Sequence, residues 1–153
     1  MQGSVTVHMA AAPEVVWDLV SDVTRIGEFS PETFEAQWLR GATGPATGAY
    51  FKGHVKRNGV GPVYWTLCRV TECVPQQDFG FVVVMNDRDL NHWRYQLREV
   101  DGGTEVTESF ELRSIGFLKL YWAILGRLRG RTNERGMRQT LERIKAVAEG
   151  VAA

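Results

Sequence analysis

The side chain with the most chemical potential in this 153-residue sequence is a glutamate set among apolar neighbours. The segments Asn91 to Val100 and Glu105 to Leu112 flank Asp101-Gly102-Gly103, the composition of a tight hairpin turn. With Asp101 and Gly102 as the central turn residues, Leu97 faces Val106, Tyr95 faces Glu108 and Trp93 faces Phe110. With Gly102 and Gly103 there instead, Leu97 faces Glu108 and Tyr95 faces Phe110. Both registers gather the same face, because strand side chains alternate. A three-residue loop would set Trp93 and Tyr95 against Thr107 and Ser109, which the pattern disfavours. Trp93, Tyr95, Leu97, Val106, Glu108, Phe110 and Leu112 therefore share an inner face, while His92, Arg94, Gln96, Glu105, Thr107 and Glu111 point to water. A carboxylate on an apolar face must find a partner, raise its pKa or reach solvent. Tyr95 or an arginine of the last helix would serve as partner. Glu108 is thus a candidate acid/base or acceptor for a ligand hydroxyl, with Tyr95 beside it as the second candidate catalytic residue. The alternative is a buried structural hydrogen bond.

Other chemistries find less support. His8, His54 and His92 fall on different strands and on outward positions, which argues against histidine catalysis. Cys68 and Cys73 are five residues apart, so one continuous strand would point them to opposite faces and prevent a bridge. No CxxC pair or Cys/His cluster suggests a metal site, and no GxSxG, P-loop or GxGxxG motif appears. Nothing calls for a cofactor. The cysteine usage and a start without a basic-then-apolar leader lead us to expect a reduced, cytoplasmic protein.

Lys+Arg and Asp+Glu are equal at 18 each, so net charge gives no reason to bind nucleic acid. The distribution is uneven, with Arg127, Arg129, Arg131, Arg135 and Arg138 following an apolar run from Phe117 to Leu125. This helix is either a contact for anionic lipid or an acidic protein partner, or a solvated face whose arginine stems lie on the sheet. The arginines spread around the helix, which favours the second. The oligomeric state, monomer or homodimer, stays open.

The elements that must position these residues follow from periodicity. Val5, Val7 and Met9 alternate with polar residues as a strand. Pro13 and Glu14 suit the first turn of a helix carrying Val16, Trp17, Leu19 and Val20. Thr24 to Glu32 reads as a second short helix or turn, with Ser30-Pro31-Glu32 resembling a cap and a first-turn proline. Strands follow over 34–39, 49–56, 63–71 and 79–85. On the strand 49–56, Phe51, Gly53 and Val55 share the inner face. The strand 79–85 is apolar on both faces, so either it is covered twice or it meets another subunit. The turn at 58–62 does not fix the register of Trp65. Asn86-Asp87-Arg88-Asp89 is a polar turn. Met137, Leu141, Ile144 and Ala148 recur at helical spacing in a segment from Gly116 to Gly150. One strand, two short helices, about six strands and a long helix make an α+β domain over residues 1–153. Only the last helix is long enough to cover a face of the antiparallel sheet.

This order resembles the START-like, Bet v 1-like (SRPBCC) superfamily, and within it the bacterial polyketide cyclase/dehydrase and lipid-transport group. The resemblance is carried by Ala12 to Trp17 through Asp22, Phe29 to Glu32 with Trp38, Gly48 to Gly53, Trp93-Arg94-Tyr95, Gly103 to Glu108, and Gly136-Met137 with Thr140-Leu141. It implies a helix-grip fold, a curved sheet of about seven strands wrapped around the C-terminal helix. It also implies a cavity for a hydrophobic small molecule, lipid or polyketide-like. Phe51, Gly53, Phe81, Trp93, Tyr95, Leu97, Val106, Glu108, Phe110, Met137 and Leu141 would bind the ligand. A carrier, a cyclase or dehydratase using Glu108, and a protein-interacting or toxin-like regulator are all compatible with it.

Overall fold

The computed structural model describes residues 2–56, 61–112 and 118–152, with the side chains of 118–130, 132, 151 and 152 left aside. Strand β1 (Gln2–Met9) buries Val5, Val7 and Met9 and exposes the residues between them. Helix α1 (Pro13–Val20) starts from an extended Ala12, with Pro13 in its first turn where the missing N–H costs nothing. Its buried side is Val16, Trp17, Leu19 and Val20. A 3-10 turn (Val23–Glu28) follows, with Asp22 Oδ1 accepting from the Thr24 N–H at 3.1 Å. Strands β2 (Thr33–Leu39), β3 (Tyr50–Lys56), β4 (Val63–Val74), β5 (Asp78–Met85), β6 (Arg88–Val100) and β7 (Gly103–Leu112) precede helix α2 (Leu118–Ala152).

The seven strands form one antiparallel sheet in the order β1-β7-β6-β5-β4-β3-β2. Helix α2 packs against β1, β7 and α1. Its expected stripe of Met137, Leu141, Ile144 and Ala148 is buried, with Thr140 beside it. This is the helix-grip arrangement. Among the described residues no helix is long and apolar enough to cross a membrane.

Of the two registers open for the last hairpin, the structure takes the one with Asp101 and Gly102 as turn residues. Val100 pairs with Gly103, Leu97 with Val106, Tyr95 with Glu108 and Trp93 with Phe110. The turn between β5 and β6 is shorter than the four polar residues suggest. Asn86 and Asp87 both take positive φ (51° and 59°), so these two residues alone reverse the chain, and Arg88 already belongs to β6.

Two expectations are corrected. The register of β4 shifts between Val70 and Glu72, a bulge that resets the alternation. Val70 pairs with Phe81 and Cys73 with Phe79, so Cys73 shares the inner face with Cys68 instead of opposing it. Both thiols are free. Ser30 caps a turn, not a helix: its Oγ accepts from the N–H groups of Glu32 and Thr33 at 3.2 and 3.0 Å, and the chain continues as β2.

The doubly apolar β5 needs no second layer to explain it. On the outer face Val82 is flanked in the ladder by Arg69 and His92, and it is 6% exposed. His92 Nε2 meets Glu72 at 2.9 Å next to Gly80, where a side chain would run into Glu72 and crowd the imidazole. Trp65 pairs with His54 and lies on the outer face, stacked on that imidazole at 4.1 Å.

Candidate functional site

A cavity of about 370 Å³ lies between the inner face of β3–β7 and helix α2. Phe51, Gly53 and Val55 form its β3 wall, and Tyr64, Thr66 and Cys68 its β4 wall. Phe81, Val83, Trp93 and Tyr95 continue across β5 and β6 to Glu108 on β7. Met137 and Thr140 close it from α2, and Ile26 with Ser30 to Thr33 forms a lip. Edge-to-face packing of Phe51 on Phe81 (5.1 Å, 75°) and of Trp38 on Phe51 (5.8 Å, 73°) stiffens the aromatic wall. The lip is tied to α2 by Arg143, whose Nη1 donates to the Phe29 carbonyl at 3.2 Å.

Alternation explains why these side chains converge. β3 buries Phe51, Gly53 and Val55 and turns Lys52 and His54 outward. At Gly53 a Cβ would stand 3.3 Å from Thr33 Cγ2 and 3.4 Å from Thr66 Oγ1, so any larger residue must push into the cavity or against its lip.

Glu108 and Tyr95 are 4% and 7% exposed. The Tyr95 hydroxyl donates to Glu108 Oε1 at 3.0 Å, while Oε2 is buried and has no hydrogen-bond partner among the described residues. Burial pushes the Glu108 carboxyl up to about 8, and the Tyr95 hydrogen bond pulls against that without cancelling it. With that hydrogen bond already counted, keeping this group ionised would cost on the order of 4–5 kcal/mol relative to an exposed glutamate. At neutral pH Glu108 is therefore a neutral carboxylic acid, able to donate as well as accept. Burial and the adjacent carboxyl both hold the Tyr95 phenol well above its usual range, so it remains a donor.

Of the residues expected to bind a ligand, Phe51, Gly53, Phe81, Trp93, Tyr95, Glu108 and Met137 line this cavity. Leu97, Val106, Phe110 and Leu141 do not. They are buried in the closed core. Helix α1 packs on β6 and β7, and Phe110 lies against Trp93 with ring centres 5.5 Å apart. Several polar wall residues escaped the sequence reading, among them Asn91, Thr66 and Thr140. Asn91 has the same strand parity as Trp93 and Tyr95, a signal of the kind that singled out Glu108. Thr66 depended on the undetermined register of β4. Thr140 is masked in the sequence by the apolar helix stripe around it.

His54 and His92 face outward as expected, the first 2.8 Å from Glu35 and the second beside Glu72. His8 is exposed on β1. Arg131, Arg135 and Arg138 are exposed on α2, whereas the side chains of Arg127, Arg129 and the Phe117–Leu125 run lie outside the described residues.

A family model described as polyketide cyclase/dehydrase and lipid transport matches residues 2–149. No curated protein matches the chain. Among solved structures, a Thermus thermophilus protein superposes with a TM-score of 0.77 at 14% identity over 100% of both chains. The di-domain ARO/CYC StfQ from the steffimycin biosynthetic pathway gives 0.72 at 12% identity, over 99% of this chain and 51% of that one. A polyketide-cyclase-like protein of Corynebacterium glutamicum gives 0.52 at 26% identity, over 97% and 85% of the two chains.

Proposed function

Since the chain belongs to the polyketide cyclase/dehydrase and lipid transport family, we propose that it binds a hydrophobic small molecule, lipid or polyketide-like, in the cavity between sheet and α2. The observation that carries this reading is the cavity itself. About 370 Å³ falls in the range of small-molecule sites, and aromatic side chains and a few convergent polar groups line it. A packed core of this size would not keep such a volume empty. Native mass spectrometry of the purified protein after exposure to a lipid and aromatic-ketone library tests it. A retained one-to-one adduct that disappears in a Gly53→Leu variant is expected. A protein that stays empty throughout would overturn the reading.

A second reading is favoured by Glu108. A neutral carboxyl whose Oε2 is unpartnered has the proton that dehydration requires. Glu108 would give that proton to a β-hydroxyl of a bound ketone as the C–O bond breaks. The resulting carboxylate would take the α-proton as the carbon–carbon double bond forms, so that water leaves and Glu108 is regenerated. Tyr95 would hold the carboxyl in place. In this case Glu108→Gln keeps binding and loses turnover, and equal turnover in both proteins removes the acid/base role.

A further inference from the structure

Glu108 Oε2 is not alone on the cavity wall. Among the described residues Asn91 Oδ1 is also buried without a partner, and both residues line the same cavity. A third such atom, Glu149 Oε2, belongs to α2 away from the cavity lining. Native proteins leave few buried polar atoms unpaired, and those they leave call for an explanation. Two on one wall of one cavity, one of them on a side chain 4% exposed, point to groups that a ligand completes.

Their positions set a length. Asn91 and Tyr95 are four residues apart on β6, and Glu108 pairs with Tyr95 in the ladder. At about 3.4 Å per residue the two polar points stand roughly 14 Å apart along the sheet. Between them lies Trp93, paired across the ladder with Phe81. The two ends also differ in hydrogen-bonding sense. The Tyr95 hydroxyl already occupies Oε1, and no cation among the described residues faces the carboxyl, so its proton resides on Oε2 and is offered to the cavity. Asn91 Oδ1 only accepts.

We propose that the cavity is built for an elongated, flat molecule with a hydrogen-bond acceptor such as a ketone at the Glu108 end, a donor such as a hydroxyl at the Asn91 end, and a conjugated body lying along Trp93 and Phe81. This rests on the small-molecule reading above and narrows its ligand to a two-ended hydroxyketone, excluding single-headed acyl chains as the preferred occupant.

The test uses four rigid probes: 2-acetyl-6-hydroxynaphthalene, 2-ethyl-6-hydroxynaphthalene without the ketone, 2-acetylnaphthalene without the hydroxyl, and 2-ethylnaphthalene with neither. Affinities are measured by fluorescence at pH 6 for the natural protein and for Glu108→Leu, Glu108→Gln and Asn91→Leu. The doubly polar probe should bind the natural protein about tenfold more tightly than either singly polar one, roughly one hydrogen bond each. Glu108→Leu should erase the preference for the ketone and keep that for the hydroxyl. Asn91→Leu should do the reverse. Glu108→Gln, which retains an N–H donor, should keep the ketone preference. Equal binding of all four probes, lost in Gly53→Leu, would overturn two-ended recognition and leave the small-molecule reading standing. Preferences that survive in both leucine variants would also overturn it. Binding of none of the four would overturn two-ended recognition, and the mass-spectrometric screen above then decides the small-molecule reading.

Discussion

Tyr95 and Glu108 are direct cross-strand partners in the β6–β7 ladder, and the phenol donates to one carboxyl oxygen at 3.0 Å while the other oxygen has no partner among the described residues. The contact is short-range within the sheet, so its chemistry can be altered without moving any other element.

Removing the phenol in Tyr95→Phe takes away the one interaction that lowers the Glu108 pKa. The carboxyl should then titrate higher still, which the protonated-carboxyl infrared band followed against pH would report. The unpaired carboxyl should also lower stability by about 1–3 kcal/mol in chemical denaturation. A titration midpoint unchanged or lowered would show that Tyr95 does not hold the charged form.

The raised Glu108 pKa makes stability depend on pH with a definite sign. Its folded value, about 8, lies above the ordinary glutamate value of 4.5 expected of the unfolded chain. The folded state therefore binds more protons between these values, and stability falls as pH rises through that window. Against a Glu108→Gln variant, the natural protein should lose up to about 1.4 kcal/mol per pH unit between pH 5 and 8 and level off above. Urea midpoints at pH 5, 6.5 and 8 give the comparison. Parallel pH profiles for the two proteins would contradict it.

Gly27 underlies the cavity lip. A Cβ there would run into the main-chain carbonyl of Phe34 on β2, which cannot swing aside as a side-chain tip would. Gly27→Ala should cost about 1–3 kcal/mol or more and lower Tm by several degrees, measured by calorimetry. Gly44→Ala, where no neighbour lies within 4 Å, is the control and should change stability by less than about 0.5 kcal/mol.

The two thiols should differ in reactivity. Burial pushes the Cys68 thiol up to about 12, and that side chain is 3% exposed. Cys73 is half-buried, with a smaller upward push from the same cause. With a chromogenic disulfide reagent at pH 8, one thiol per chain should react slowly and the second only when the protein unfolds. Mass mapping should place the first adduct on Cys73, and early labelling of Cys68 would contradict the burial described.

Much of this architecture was legible before the structure. Alternation in β1, β3 and β6–β7 and the helical stripe through Met137 and Ile144 are strong periodic signals, and they carry the sheet and its covering helix. The inner-face position of Glu108 followed from parity alone, because both open registers preserve it. Irregularities were not legible. The bulge between Val70 and Glu72 lies opposite Gly80 and Phe81, and no turn residue advertises it. Nor does parity tell a cavity from a core. Leu97 and Phe81 are both apolar and inward, and only the placement of α1 decides that Leu97 is packed while Phe81 borders open space.

The two-residue reversal at Asp101 and Gly102 carries a last consequence, for how the sequence tolerates insertion and deletion. Six positions beyond this exposed turn, Glu108 owes its inward direction to the number of residues in it. With the two-residue reversal kept, adding or losing one residue there would turn the whole of β7 over, sending Glu108 to solvent and bringing Thr107 and Ser109 inward, with no side chain of the cavity changed. Libraries of length variants should therefore tolerate substitution at Asp101 far better than a single-codon insertion beside it, although the site lies on the surface.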